Sequence, residues 1–166
     1  MSSTPLLSYN DLLAALTRDG VMHQASPAER SVMIPTRIGA SDAAMILRWA
    51  PDQGALHVVQ SLPLAVPAEA RAAVSHAMNL LNHALALPGF GLDHENRRLY
   101  FRTVLPITPG GVNPADVQAL FRAMVRTSLD LLPPIRRVLE GGASPEGVVV
   151  DASIELTLGD SGGTLL

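Results

Sequence analysis

Four groups of residues in this chain have types and spacings that could do chemistry. Gly159-Asp160-Ser161-Gly162-Gly163 sets a serine among glycines. In that arrangement a hydroxyl can attack a carbonyl while nearby backbone N–H groups stabilise the oxyanion. His76, Asn79 and His83 fall on one helical face, near the spacing at which two imidazoles share a metal ion. Asp93-His94-Glu95 offers two carboxylates and an imidazole. Arg97, Arg98, Tyr100 and Arg102 mix cations with an aromatic ring, the combination that holds single-stranded nucleic acid.

Each group lacks a part that its chemistry needs. Ser161 lies five residues from the last one, with no chain left to build a specificity pocket and no histidine in a matching context. The helical His76–Asn79–His83 set has no carboxylate, and metal pairs on a helix prefer i, i+4, or i, i+3 with an acid. Consecutive residues point apart, so Asp93-His94-Glu95 reads as a solvated turn. Alternation puts Arg98, Tyr100 and Arg102 on one strand face, which suits a polar sheet face or a subunit contact. The net charge of −3 argues against a phosphate-binding surface, although all twelve basic residues are arginine. With no cysteine there is no disulfide, thiolate metal site or cysteine nucleophile. No phosphate-cradling glycine loop is present. The chain is therefore expected to have no catalytic residue, metal or cofactor. An enzyme or small-ligand site would have to converge in three dimensions, and its sign would be a buried pocket holding His57, His76 or His83 beside a carboxylate.

The elements that would position these residues follow from hydrophobic period. Ser8 caps a short helix carrying Leu12, Leu13 and Leu16, with Asp11 in its first turn and Gly20 as its stop. Residues 31–38, 43–50 and 55–62 alternate as strands, joined by turns at 39–42 and 51–54 that are short enough to force an antiparallel meander. Pro35 cannot donate to a ladder, so its strand belongs at an edge or beside a bulge. Pro67 predicts a helix start and Pro88-Gly89 its end. Within that helix Val74, Met78, Leu81 and Leu85 form one apolar row and Ala73, Ala77, Leu80 and Ala84 a second. Phe90–Leu92 and Leu99–Leu105 read as a hairpin. Asn113-Pro114 opens a last helix through Val117, Leu120, Phe121, Met124, Ser128, Leu131 and Ile135. Pro133-Pro134 should kink or interrupt it, and Gly141-Gly142 should end it. Val148–Leu158 alternates as cleanly as any run in the chain and predicts a strand that joins a sheet edge, ahead of a flexible Gly/Ser end.

Two stretches, VVQSLPLAVPAEARAAVSHAMNLLNHAL at 58–85 and LYFRTVLPI at 99–107, resemble the YbjN-like domain family when followed by the helix after Asn113. The element order also resembles that of class I type III secretion chaperones. The resemblance spans about residues 30–140 and departs after Gly141. It implies a twisted antiparallel sheet backed by helices, often dimeric, and a role in binding proteins or in regulation. Secretion chaperones hold an unfolded client through apolar pockets and strand edges.

The expected architecture is α+β, in the order α-β-β-β-α-β-β-α. A twisted antiparallel five-stranded sheet, extendable by a sixth C-terminal strand, packs with three main helices. Residues 1–142 form a single domain and 143–166 a strand-forming extension. The expected role is a non-enzymatic protein-binding module, chaperone-like or regulatory, in a cytoplasmic homodimer without nucleic-acid or membrane partners. No apolar run approaches the roughly 20 residues needed to cross a bilayer, and the N-terminus lacks a secretory pattern. Candidate contacts with a subunit or partner are Ala73, Ala77, Leu80, Ala84, Tyr100 and Arg102. If the alanine row is a dimer face, Ala77→Arg should give monomers.

Overall fold

The computed structural model describes residues 4–85 and 89–149. Helix α1 (Tyr9–Arg18) precedes strands β1 (Gln24–Ser26), β2 (Ser31–Ile38), β3 (Ser41–Ala50) and β4 (Ala55–Ala65). Helix α2 (Arg71–Ala84), strands β5 (Phe90–Asp93) and β6 (Arg98–Pro106) and helix α3 (Pro114–Leu139) complete the order. The six strands form one sheet, β1-β2-β3-β4-β6-β5, and every pair is antiparallel. This is the α+β architecture expected from the sequence. The sixth strand differs from the expected one, because β1 occupies the edge beside β2. Gln24-Ala25-Ser26 is too short and too polar to show a period.

Local chemistry sets the helix ends. The Ser8 hydroxyl accepts from the Asp11 amide at 3.2 Å, and the Asp11 carboxylate accepts from the Leu7 amide at 3.0 Å. Asn113 accepts from the Ala115 amide at 3.0 Å, with Pro114 at the first helical position. Pro67 stands one step outside its helix, which enters through a single tight turn at Ala68–Ala70. Gly141 takes φ +72, the left-handed conformation that ends a helix, and the Gly142 amide reaches back to the Arg137 carbonyl at 2.8 Å. Pro133 and Pro134 do not interrupt α3, which runs on through both. The prolines remove two donors, but Leu131, Leu132, Pro134, Ile135 and Val138 are buried and hold the last turns against the core.

All three helices lie on one face of the sheet. Val32 and Ile34 of β2, Met45 and Leu47 of β3, Leu56, Val58 and Leu62 of β4, and Leu99 and Phe101 of β6 are buried beneath them. The directly opposed rings of Phe90 and Phe101 stack 4.5 Å apart. The Tyr9 hydroxyl donates to the Ser31 carbonyl at 2.9 Å, and Leu6 and Val112 exchange backbone bonds, which ties α1 to the sheet and to the entry of α3. Gln60 shares the buried alternation of β4 and is fully buried with Ser128 of α3, whose hydroxyl donates to its Oε1 at 2.9 Å. The Nε2 of Gln60 has no hydrogen-bond partner among the described residues.

The core continues past residue 142. The Ser144 hydroxyl accepts from the Gly147 amide at 3.2 Å, and residues 147–149 make a helical turn with Val148 buried. A strand was expected to begin at Val148. The correction has a local cause, since Ser144-Pro145 is a cap followed by a first-turn proline, and that signal outweighs two residues of alternation. The rest of the 148–158 run, and Gly159–Gly163, lie outside the described residues.

Ser128→Ala is expected to lower unfolding free energy by about 1–3 kcal/mol, because it leaves a buried acceptor unpaired. Adding Gln60→Leu should recover most of that loss. Urea denaturation reads both, and equal loss in the single and double variants would show that the bond is not the cause.

Candidate interaction surface

The face of the sheet away from the helices carries no covering layer among the described residues. Register places Met33, Ile46, Val59 and Arg102 side by side across β2, β3, β4 and β6, with Ser31, Arg48, His57 and Val104 in the adjoining row. Ile46 and Val104 are 43% and 45% exposed. Tyr100 lies opposite Ser61 and Gly91, and a side chain at Gly91 would collide with its ring. A cleft of about 480 Å³ opens here between Ile46, Val59, Ser61, Asp93, Arg98 and Tyr100. No carboxylate lies within 4.0 Å of Arg48, Arg98 or Arg102 among the described residues. The face thus has an apolar centre flanked by three arginines without ion-pair partners.

Side chains and composition blunt part of each sheet edge. The Trp49 amide donates to Arg30, so alternate residues of β2 turn their backbone groups to β3 and Pro35 turns outward. Its missing donor falls just past the three residues that β1 covers, as an edge strand requires. At the other edge Asn82 of α2 imitates a neighbouring strand. Its Oδ1 accepts from the Gly89 and Phe90 amides at 2.9 and 2.8 Å, and its Nδ2 donates to the Phe90 carbonyl at 2.7 Å. Proline and a covered edge are both recognised means of refusing another strand.

The other sequence candidates separate in space. Tyr100 and Arg102 lie on the open face. In the alanine row Ala77 is fully buried, Ala73 and Leu80 are half-buried and Ala84 is exposed. The buried stripe of α2 is Val74, Ala77, Met78 and Leu81, which keeps Val74, Met78 and Leu81 of the first predicted row and adds Ala77 from the second. Ala77 therefore sits in its own subunit's core, and Ala77→Arg would break the fold before it reported on any interface. His57 contacts Gln53 Oε1 at 2.8 Å in an exposed turn. His76 does acquire a carboxylate, Glu146, at 3.3 Å, but both side chains are more than half exposed, so they form no buried acid–base pocket. No cluster of three or more His, Asp or Glu in metal-holding geometry occurs among the described residues. Asp93 accepts from the Asn96 and Glu95 amides, each at 3.0 Å. The Asn96 amide, chiefly, holds its carboxyl below the usual aspartate range, and the solvated-turn reading of this loop stands.

Ile46, Val59 and Val104 were visible in the sequence only as apolar residues on the otherwise polar side of their alternation. Asn82 carried no signal, because its partners lie across a helix-to-strand connection.

A family model named YbjN and described as "Putative bacterial sensory transduction regulator" matches residues 10–137. No curated protein matches the chain. Among solved structures, one titled "Crystal structure of YbjN, a putative transcription regulator from E. coli" matches with a TM-score of 0.54 at 12% identity, covering 82% of this chain and 92% of that one. At that identity the likeness is one of fold.

Asn82→Ala removes three edge bonds and is expected to cost about 2 kcal/mol, at roughly 0.5–1.5 kcal/mol per bond. It should also introduce concentration-dependent association, read by sedimentation; a variant that stays unassociated would show that the amide does not guard the edge. Glu146 titrates below its ordinary value of 4.5, held down by its own backbone N–H first, then by the Ser144 hydroxyl and by His76. A depressed folded-state value means a contribution present at neutral pH and lost as pH falls below that range. The Val148 methyl resonances should therefore shift in that acid window, and Glu146→Gln should abolish the transition.

Proposed function

This chain belongs to the YbjN family, and from that premise we propose that it is a non-enzymatic regulatory module that binds another protein on the open face of its sheet. The observation that carries the proposal is the apolar centre of Met33, Ile46, Val59, Tyr100 and Val104, flanked by Arg48, Arg98 and Arg102, which have no ion-pair partner among the described residues. Apolar side chains on a sheet face left without a helix layer mark an interaction site. Arginine and tyrosine are the residues enriched where such contacts carry most energy. The flanking charge suits a partner segment that carries acids beside apolar residues.

The expected likeness to secretion chaperones points to the same class of role with a different geometry. Those proteins use strand edges as well as apolar pockets, whereas Pro35 and Asn82 blunt part of each edge here, which favours the face as the binding surface. We include in the proposal a bacterial cytoplasmic setting and a homodimer. Two copies of the open face would bring like charges together, so a dimer should form elsewhere. Among the described residues no helix is long and apolar enough to cross a membrane.

Ile46→Glu with Val104→Glu should leave the unfolding free energy within about 0.5 kcal/mol of the parent, since both sites are exposed. The same pair should abolish capture of the native partner from cell extract. Arg98→Glu with Arg102→Glu should weaken capture and remove its salt dependence. A partner retained equally by all three proteins would end the open-face reading.

A further inference from the structure

A second apolar surface lies on the helix side, apart from the open face. Leu12 and Leu16 of α1, Ile34 of β2, and Val117 and Phe121 of α3 line a groove of about 370 Å³. Val125 and the 43%-exposed Leu129 continue it along α3 toward the β2–β3 turn. Helical spacing sets Arg122 and Arg136 beside this stripe, together with Arg126, which pairs with Asp130 at 3.9 Å.

We propose that the groove is the docking site for residues 150–158 of the same chain. Three observations converge on that occupant. Val148 is buried and Val149 half-buried against the core, so the chain reaches residue 150 on the helix side of the sheet. After Arg137 the sequence contains no basic residue and five acids, Glu140, Glu146, Asp151, Glu155 and Asp160, opposite in sign to the arginines of α3. Val150, Ala152, Ile154, Leu156 and Leu158 supply apolar side chains alternating with Asp151 and Glu155. Nine residues can span about 30 Å, and the stripe from Val117 to Leu129 runs only about 18 Å along the helix axis. Tethering raises the effective concentration of the segment to about the millimolar range.

The test uses the full chain, which has no cysteine of its own. Leu129→Cys with Ile154→Cys should close an intramolecular disulfide on mild oxidation. The rate should exceed that of Val104→Cys with Ile154→Cys, which probes the open face, by about tenfold or more, as expected for a preferred local encounter. Asp151→Arg with Glu155→Arg should slow the Leu129 reaction. A paramagnetic label on Ile154→Cys alone gives a second reading free of any cost at Leu129, and should broaden Phe121 and Val125 resonances while sparing Ile46 and Val104. Equal disulfide rates, a product formed only between molecules, or broadening confined to the open face would each overturn the proposal. None of these outcomes bears on partner capture by the open face, so the two readings fail separately.

Discussion

A twisted sheet has two faces, and the helices of this chain cover only one of them. The cause lies in the connections. The strands of the β2–β3–β4 run follow one another through turns too short to hold a helix, so layers can come only from α1, from the α2 crossover between β4 and β5, and from α3 after β6. All three settle on the side where Leu47, Val58 and Phe101 project, and together they bury one continuous core. The Gln60–Ser128 bond fixes α3 over the centre of that core. A buried polar pair of this kind contributes little net stability but penalises any slip of the helix, because an unmade bond in the core is costly.

The same economy explains the edges. An exposed strand edge invites any passing chain. Here Pro35 removes a donor at one edge, and the Asn82 amide occupies both backbone groups of Phe90 at the other. A protein that adds strands promiscuously could not be selective, whereas one that closes its edges leaves recognition to side chains on a face.

Much of the fold was legible because hydrophobic period is a local property. The strand at 31–38, the Ser8 and Asn113 caps and the turn at 51–54 follow from residues within a few positions of one another. The misreadings arose where distant packing overrode local rules. Pro133 and Pro134 stay helical because their neighbours are buried. Ala77 turns inward because the buried stripe of α2 is wide enough to take it in beside Val74, Met78 and Leu81. The helical turn at 147–149 follows its Ser-Pro start in preference to the alternation that runs on after it.

The sequence by itself determined the kind and order of the main elements, their antiparallel meander and the absence of cysteine chemistry, since each depends on residue type and short-range spacing. Only the tertiary structure decided which face of the sheet stays open, how Asn82 closes an edge and that Gln60 meets Ser128. Those outcomes join residues far apart in the chain, 68 positions in the last case. No local pattern encodes them, because they are fixed by how the helices return over the sheet once its core side is buried.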